Sequence, residues 1–490
     1  MSARTTEVPP GPSSAAAERL PREHVRVIAL LLVSAFVVIL NETTMGVALP
    51  SVMDEFDITE SSGQWLTTGF LLTMAVVIPA TGWLLQRLGT RGAFILAMSL
   101  FTTGTFLAAI APVFGLLVAA RVVQASGTAI MMPLLMTTVM STVPPHRRGR
   151  VMGNVSLVIA VAPALGPTVS GGIVTAFGWR EVFWVVLPIA AVALLLGALL
   201  VRDVADRAQT RLDPPSLLLA AGAFGGLVYG LSALGEAAQH AMPVSPAVPL
   251  VGGAAVLALF VWRQLVLQRT DAALLDLRVF RARGFGVGLS VMAVSMIAMF
   301  GMIIGLPLVL QEAMGLDALT SGLLMLPGGL LMGLLGPVVG RLYDRVGPRP
   351  LAVPGVTAVG VAMLLFANLS PTSPMWWVVL GHLVLSLGLA FIFTPTFTSA
   401  LAGLKPSLYS HGSAAVTTVQ QLAGAAGTAL FVALLTLRKV SLLDEGATAA
   451  EATAGGAQLA FTVAAVVVVG ALVLATRLRK SDTPAEVAGH

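Results

Sequence analysis

Three polar side chains stand where the sequence is otherwise built for oil. Glu42 interrupts VVILNETTMGVALP (37–50), Arg121 sits within LVAARVVQASG (117–127), and His382 lies in WVVLGHLVLSLG (377–388). The chemistry open to them is proton traffic. A carboxyl taken out of water keeps its proton to higher pH than an exposed one. Arginine stays charged and suits a fixed positive partner for a titrating acid. Each residue also has a plain structural use: Glu42 bonding a neighbouring helix, Arg121 snorkelling to headgroups, His382 as a satisfied core histidine. Intramembrane acids are costly and usually mark ion or substrate paths, so Glu42 is expected to carry a proton. Other chemistries lack their residues. There is no cysteine, no G-x-x-x-x-G-K-[ST] phosphate loop and no H-E-x-x-H. An ATP-driven pump and an intramembrane enzyme are thereby disfavoured, and a channel lacks its rings of charge. No catalytic residue, metal or cofactor is expected.

The elements that position these residues follow from composition. Of 490 residues, 57% are apolar and 10% charged, against about a quarter charged in soluble domains. Apolar runs long enough for a bilayer, about 20 residues, recur throughout. The expectation is an all-α membrane protein with fourteen spans. They lie at roughly 27–50, 64–85, 92–110, 114–141, 151–176, 182–200, 216–235, 247–267, 286–311, 319–340, 350–368, 375–398, 411–436 and 458–476. With both termini on one side, 24 of the 28 Lys and Arg fall in tails and loops on that side, and three fall outside. That asymmetry marks the side as cytoplasmic. The net charge of +5 therefore reflects topology, and no nucleic-acid partner is expected.

Depth follows from helical rise. Glu42 is 16 residues beyond Arg26, about 24 Å into a core of about 30 Å. Arg121 is seven residues below Phe114, roughly 10 Å from the outer surface, at similar depth. Arg121, Gln124, Thr128 and Met132 form one polar helical face.

The chain repeats itself. GWLLQRLGTR (82–91) returns as GRLYDRVGPR (340–349), an offset of 258. Gly82, Arg87, Gly89 and Arg91 match Gly340, Arg345, Gly347 and Arg349; Gln86 stands where the second copy has Asp344. Parallel duplications of this kind place a substrate site between two halves near mid-membrane. Six plus six leaves two inserted helices. The expected boundaries are a tail (1–24), a first half (25–201), the inserted pair (202–268), a second half (269–477) and a tail (478–490). Aligning Gly127 with Gly388 sets His382 opposite Arg121.

With the duplicated loop in view, residues 25–476 resemble the major facilitator superfamily, in its fourteen-helix drug:proton antiporter-2 branch. Residues 82–91 resemble its loop signature and 117–127 its fourth-helix signature, with Ala125 for the usual glycine. APALGPTVSGG (162–172) is similar to its fifth-helix antiporter signature, and LNETTMGVALP (40–50) to the lincomycin-resistance subgroup. The resemblance implies a proton-coupled multidrug antiporter in a bacterial inner membrane, working by alternating access. Its partners would be protons, lipid and small amphipathic cargo, its energy a proton gradient, its state a monomer. An exporter of one endogenous metabolite or antibiotic is the alternative.

Further residues receive roles as expectations. Proton coupling falls to Glu42, Arg121 and His382, with Glu312 at the outer interface a weaker candidate. Asn41, Gln64, Trp65, Thr68, Gln124, Thr417, Gln420 and Gln421 are expected at the cargo, and one deep acid suits neutral or singly charged compounds. Gly166, Pro167 and Gly171 are expected to form a close, bendable seam between the halves. Asp344 is expected to cap the next helix or pair with nearby arginines, and Gln86 leaves the first loop's gate weaker.

Overall fold

A computed structural model describes residues 21–63, 65–203, 212–237 and 245–478. Gln64 and the side chain of Pro167 lie outside the described residues, as does most of each expected tail. All regular elements among the described residues are helical, the form that satisfies backbone polar groups internally where water is absent. The first set is α1 (Arg22–Phe56), the short α2 (Glu60–Gly63), α3 (Trp65–Ala109), α4 (Phe114–Thr142), α5 (Arg148–Phe177) and α6 (Trp179–Leu200). Next come α7 (Pro214–Ala220) and α8 (Gly226–Ala237), joined through a π-helical turn, and α9 (Ala247–Leu267). The last set is α10 (Arg283–Leu308), α11 (Ala318–Val346), α12 (Arg349–Phe366), α13 (Met375–Ala402), α14 (Tyr409–Asp444) and α15 (Ala449–Ala475).

Among the described residues, twelve helices are long and apolar enough to cross a membrane, against the fourteen spans expected. The difference arises at two places. The 45 residues of α3 run helically through the first duplicated loop, broken only at Gly89 (φ 71°, ψ 179°). The 30-residue α5 is not among the twelve. The second loop has the same backbone break at Gly347 (φ 79°, ψ −173°), where it separates α11 from α12. Both positions need a conformation that residues with a Cβ rarely adopt.

Helices α1 and α3–α6 pack on one another, as do α10–α15. The two groups meet where α5 lies on α11 and α13, and where α14 lies on α3 and α4. The inserted helices lean on both: α8 packs against α14 and also touches α3. Asp213 fixes their entry. It accepts from Ser216 N at 3.0 Å and from Arg263 Nε and Nη2 at 2.7 Å each. The Arg263 hydrogen bonds hold the Asp213 carboxyl down to about 2. Buried Gln264 donates to Ser216 Oγ and accepts from the amides of Leu274 and Leu275, pinning the chain that leaves α9.

Candidate functional site

Arg121 is the largest charged side chain in the interior, 2% exposed. Its Nη1 donates to Gln124 Oε1 at 2.5 Å and to Asn41 Oδ1 at 3.4 Å. Gln124 Nε2 donates to Thr105 Oγ1 at 2.8 Å, and Thr105 donates to the Phe101 carbonyl at 2.7 Å. The guanidinium also lies 4.2 Å from the Phe70 ring centroid, a cation–π distance. Helices α1, α3 and α4 thus solvate one buried cation with amides and a ring. Helical spacing explains the set, since Arg121 and Gln124 are three apart on one face of α4.

Glu42 follows Asn41 on α1 and is partly exposed. It neighbours Asn41, a hydrogen-bond partner of Arg121, and forms no ion pair with that arginine. A cavity of about 30 Å3 touches Glu42 and is walled by Met74 of α3, Thr128 and Met132 of α4, and Thr417 of α14. Both groups of helices therefore border the acid. Gln421 of α14 reaches across to Met74, 3.7 Å from its Sδ.

Glu42, Arg121, Asn41, Gln124 and Thr417 are brought together; His382 is not. It lies on α13 against α11, where a Cβ on Gly328 would come within 2.1 Å of its Nδ1. That nitrogen is buried without a hydrogen-bond partner. The alignment of repeats put His382 opposite Arg121, but each residue sits inside its own group of helices. Asn41 and Gln124, expected at the cargo, are fully buried and hold Arg121. Trp65 is 47% exposed at the start of α3, and Thr68, Gln420 and Gln421 are partly exposed. Glu312 accepts from Lys439 Nζ at 2.8 Å, a partly exposed pair far from Glu42 in the chain.

The seam between the halves differs from the expected one. A Cβ on Gly166 would lie 1.9 Å from Thr43 Oγ1, and one on Gly171 3.8 Å from Val47, so these glycines pack α5 on α1. The close crossing with the second half comes earlier on α5. There Gly149 and Gly153 meet Gly336 and Gly340 of α11, with a Cβ on Gly340 only 2.0 Å from the Gly149 carbonyl oxygen. The spacing G-x-x-x-G at 149–153 and at 336–340 carried that signal. Asp344, expected to cap the next helix or pair with nearby arginines, reaches the start of α5. It accepts from Gly149 N at 2.8 Å and Arg150 N at 3.0 Å, capping α5 from the other half. In the first loop Gln86 Nε2 donates to the Ser407 carbonyl at 3.0 Å. Arg91 ties that loop to α6: its amide donates to Asp203 and its Nη2 to the Ala198 carbonyl. Arg87, Arg345 and Arg349 are exposed. The halves are latched at the end carrying the duplicated loops, while the glycines at the other end of α5 turn to α1.

Two groups of long apolar helices, latched at one end and both bordering an acid, define a membrane carrier, and the comparisons specify which kind. Residues 31–428 match the model of the Major Facilitator Superfamily. The chain is 38% identical over 474 residues to the uncharacterised MFS-type transporter YcnB of Bacillus subtilis, covering 96% of this chain and 98% of that one. It is 37% identical to the lincomycin resistance protein LmrB of Listeria monocytogenes, covering 85% and 88%. The human organic anion transporter MFSD10 shares its fold, with a TM-score of 0.68 at 18% identity over 93% of this chain and 100% of that chain. The chain belongs to the Major Facilitator Superfamily.

Proposed function

We propose that this protein is a proton-coupled exporter of amphipathic drugs, neutral or carrying one positive charge, in the fourteen-span antiporter branch. The observation that carries the reading is Glu42 beside a buried Arg121 yet not bonded to it, at a cavity walled by both halves. A carboxylate in a low-dielectric site needs compensation. Arg121, anchored through Nη1 to Asn41 and Gln124 with its buried Nε unpaired, compensates Glu42 through space and leaves the carboxylate oxygens free for a proton or for cargo. Cargo and proton then compete, and rocking of the halves exchanges the side to which Glu42 opens. His382 is a second candidate for proton binding, and Trp65, Thr68, Thr417, Gln420 and Gln421 for cargo contact.

The fourteen crossings comprise the twelve candidate helices, α5, and a second crossing within α3. Forty-five helical residues would reach about 68 Å, more than twice a core of about 30 Å. The basic loops place both termini in the cytoplasm. With that orientation the latch lies on the cytoplasmic side. Names among the relatives support drug cargo: besides the lincomycin resistance proteins, a multidrug resistance protein B homolog of Mycobacterium tuberculosis is 30% identical over 430 residues.

The test is proton release from protonated, purified protein as amphipathic compounds, lincomycin included, are added in unbuffered medium. Wild type is expected to release protons, and Glu42→Gln to bind compound without release. Equal release from both would move the coupling to His382 or Glu312.

A further inference from the structure

The two crossings at the latch share one frame with a single exchange. On one side, a Cβ on Gly340 of α11 would lie 3.1 Å from the Gly153 Cα of α5. On the other, a Cβ on Gly82 of α3 would lie 3.1 Å from the His411 Cα of α14. Gly340 follows Gly82 by 258 residues, and His411 follows Gly153 by the same 258. Where one crossing has a hydrogen atom, the other has an imidazole. The His411 ring is 4% exposed, its Nδ1 pressed toward Gly82 and without a hydrogen-bond partner. A buried polar atom left unpaired costs about 1–3 kcal/mol, so packing alone gives no reason for it.

A cavity of about 1140 Å3 lies against the ring at the loop end. Charged groups face it from several elements. From the linker after α9 come Asp276 and Arg278, bonded to each other at 2.5 Å, with Asp271 on the same arginine. Arg148 of α5 is held by the carbonyls of Met140 and Val143 and by the Tyr409 hydroxyl. Arg281 and Lys405 stand on the rim. Helices α3 and α4 offer the cavity only uncharged groups, Gln86, Thr90, Thr137, Thr138 and Ser141 among them. Arg278 takes both carboxylates, and Arg148, Arg281 and Lys405 bring the cavity to four cations against two anions, an unfavourable setting for an imidazolium.

We propose that His411 is a proton-dependent wedge in the latch: neutral, it lets α3 and α14 close; protonated, it holds them apart. The physical reason is desolvation, because closing strips water from a cation set beside a cavity that already carries more cations than anions. Opening returns the ring to the water of the cavity. The closed latch is therefore favoured above the ordinary imidazole value of about 6.5 and lost as pH falls below it. One proton taken up on opening moves the open-to-closed ratio by up to about tenfold per pH unit. Glycine at the other crossing carries no such dependence. The inference rests on the alternating-access reading, not on which residue couples cargo to protons.

The native chain has no cysteine, so paired spin labels need no background changes. Cysteines at exposed His146 and Lys405 report the loop-end distance across the halves, in a Glu42→Gln, His382→Gln chain that removes the two candidate coupling groups. The parent is expected to show two populations, with the open one growing as pH falls from 8 to 5.5, up to about tenfold per unit below about 6.5. His411→Gln, which keeps volume without titrating, should flatten that dependence. His411→Gly, which rebuilds the other crossing, should flatten it and favour closure. A flat parent, or a parent-like pH response in either variant, overturns the wedge and leaves alternating access standing. A single unchanging population in every sample overturns both.

Discussion

The two seams that join the halves begin from copies of one sequence and end as different devices. The seam of α5 and α11 is glycine on glycine, sealed by the Asp344 carboxylate on two amides that open α5. The seam of α3 and α14 is glycine on histidine, with Gln86 giving one hydrogen bond to a carbonyl. A charged acceptor at a helix N-terminus gains from orphan amides and from the helix dipole together. A neutral amide on a carbonyl gains one ordinary hydrogen bond. One seam is thus built to hold and the other to yield, although a twofold reading of the repeat would have made them alike.

Three substitutions test that asymmetry. The largest effect is expected from Gly340→Val, whose Cβ meets backbone at 2.0 Å and has no flexible neighbour to displace. Overpacking costs about 1–3 kcal/mol, so the loop-end-closed population should fall roughly 5- to 150-fold, read from paired-label distances. Asp344→Asn comes next. Losing the charged cap at α5 should cost about 1 kcal/mol and shift the same ratio about fivefold toward the open form. Gln86→Ala is the smallest, a shift of about twofold, since its bond is partly exposed. If Gln86→Ala matched Asp344→Asn, the two seams would be equivalent and the asymmetry would be lost.

The candidate site divides along similar lines. That Glu42 and Arg121 stand within apolar helices was legible because hydropathy is a local property. The common backbone of the two loops was legible too, because Gly89 and Gly347 answer to the same conformational need. Asn41 and Gln124, expected at the cargo, hold Arg121. Asn41 and Gln124 lie on the polar faces that sequence marks, but a polar face can meet a ligand or a buried cation, and spacing does not distinguish these. The small residues of the fifth-helix signature were assigned to the wrong seam for a related reason. Helix periodicity shows that a face is small; it does not say which helix comes to it.

The sequence by itself determined the long apolar helices, the duplication and the presence of one acid and one arginine within apolar runs of the first half. These follow from local quantities: hydropathy and charge placement. Only the tertiary structure decided that Asp344 caps a helix 195 residues away, that Gly166 packs on α1, and that an imidazole fills one crossing where glycine fills the other. The reason is geometric. A contact between helices distant in the chain depends on their rotation and translation relative to each other. Those are fixed by the summed packing of all neighbouring faces, and no single stretch of sequence carries that sum.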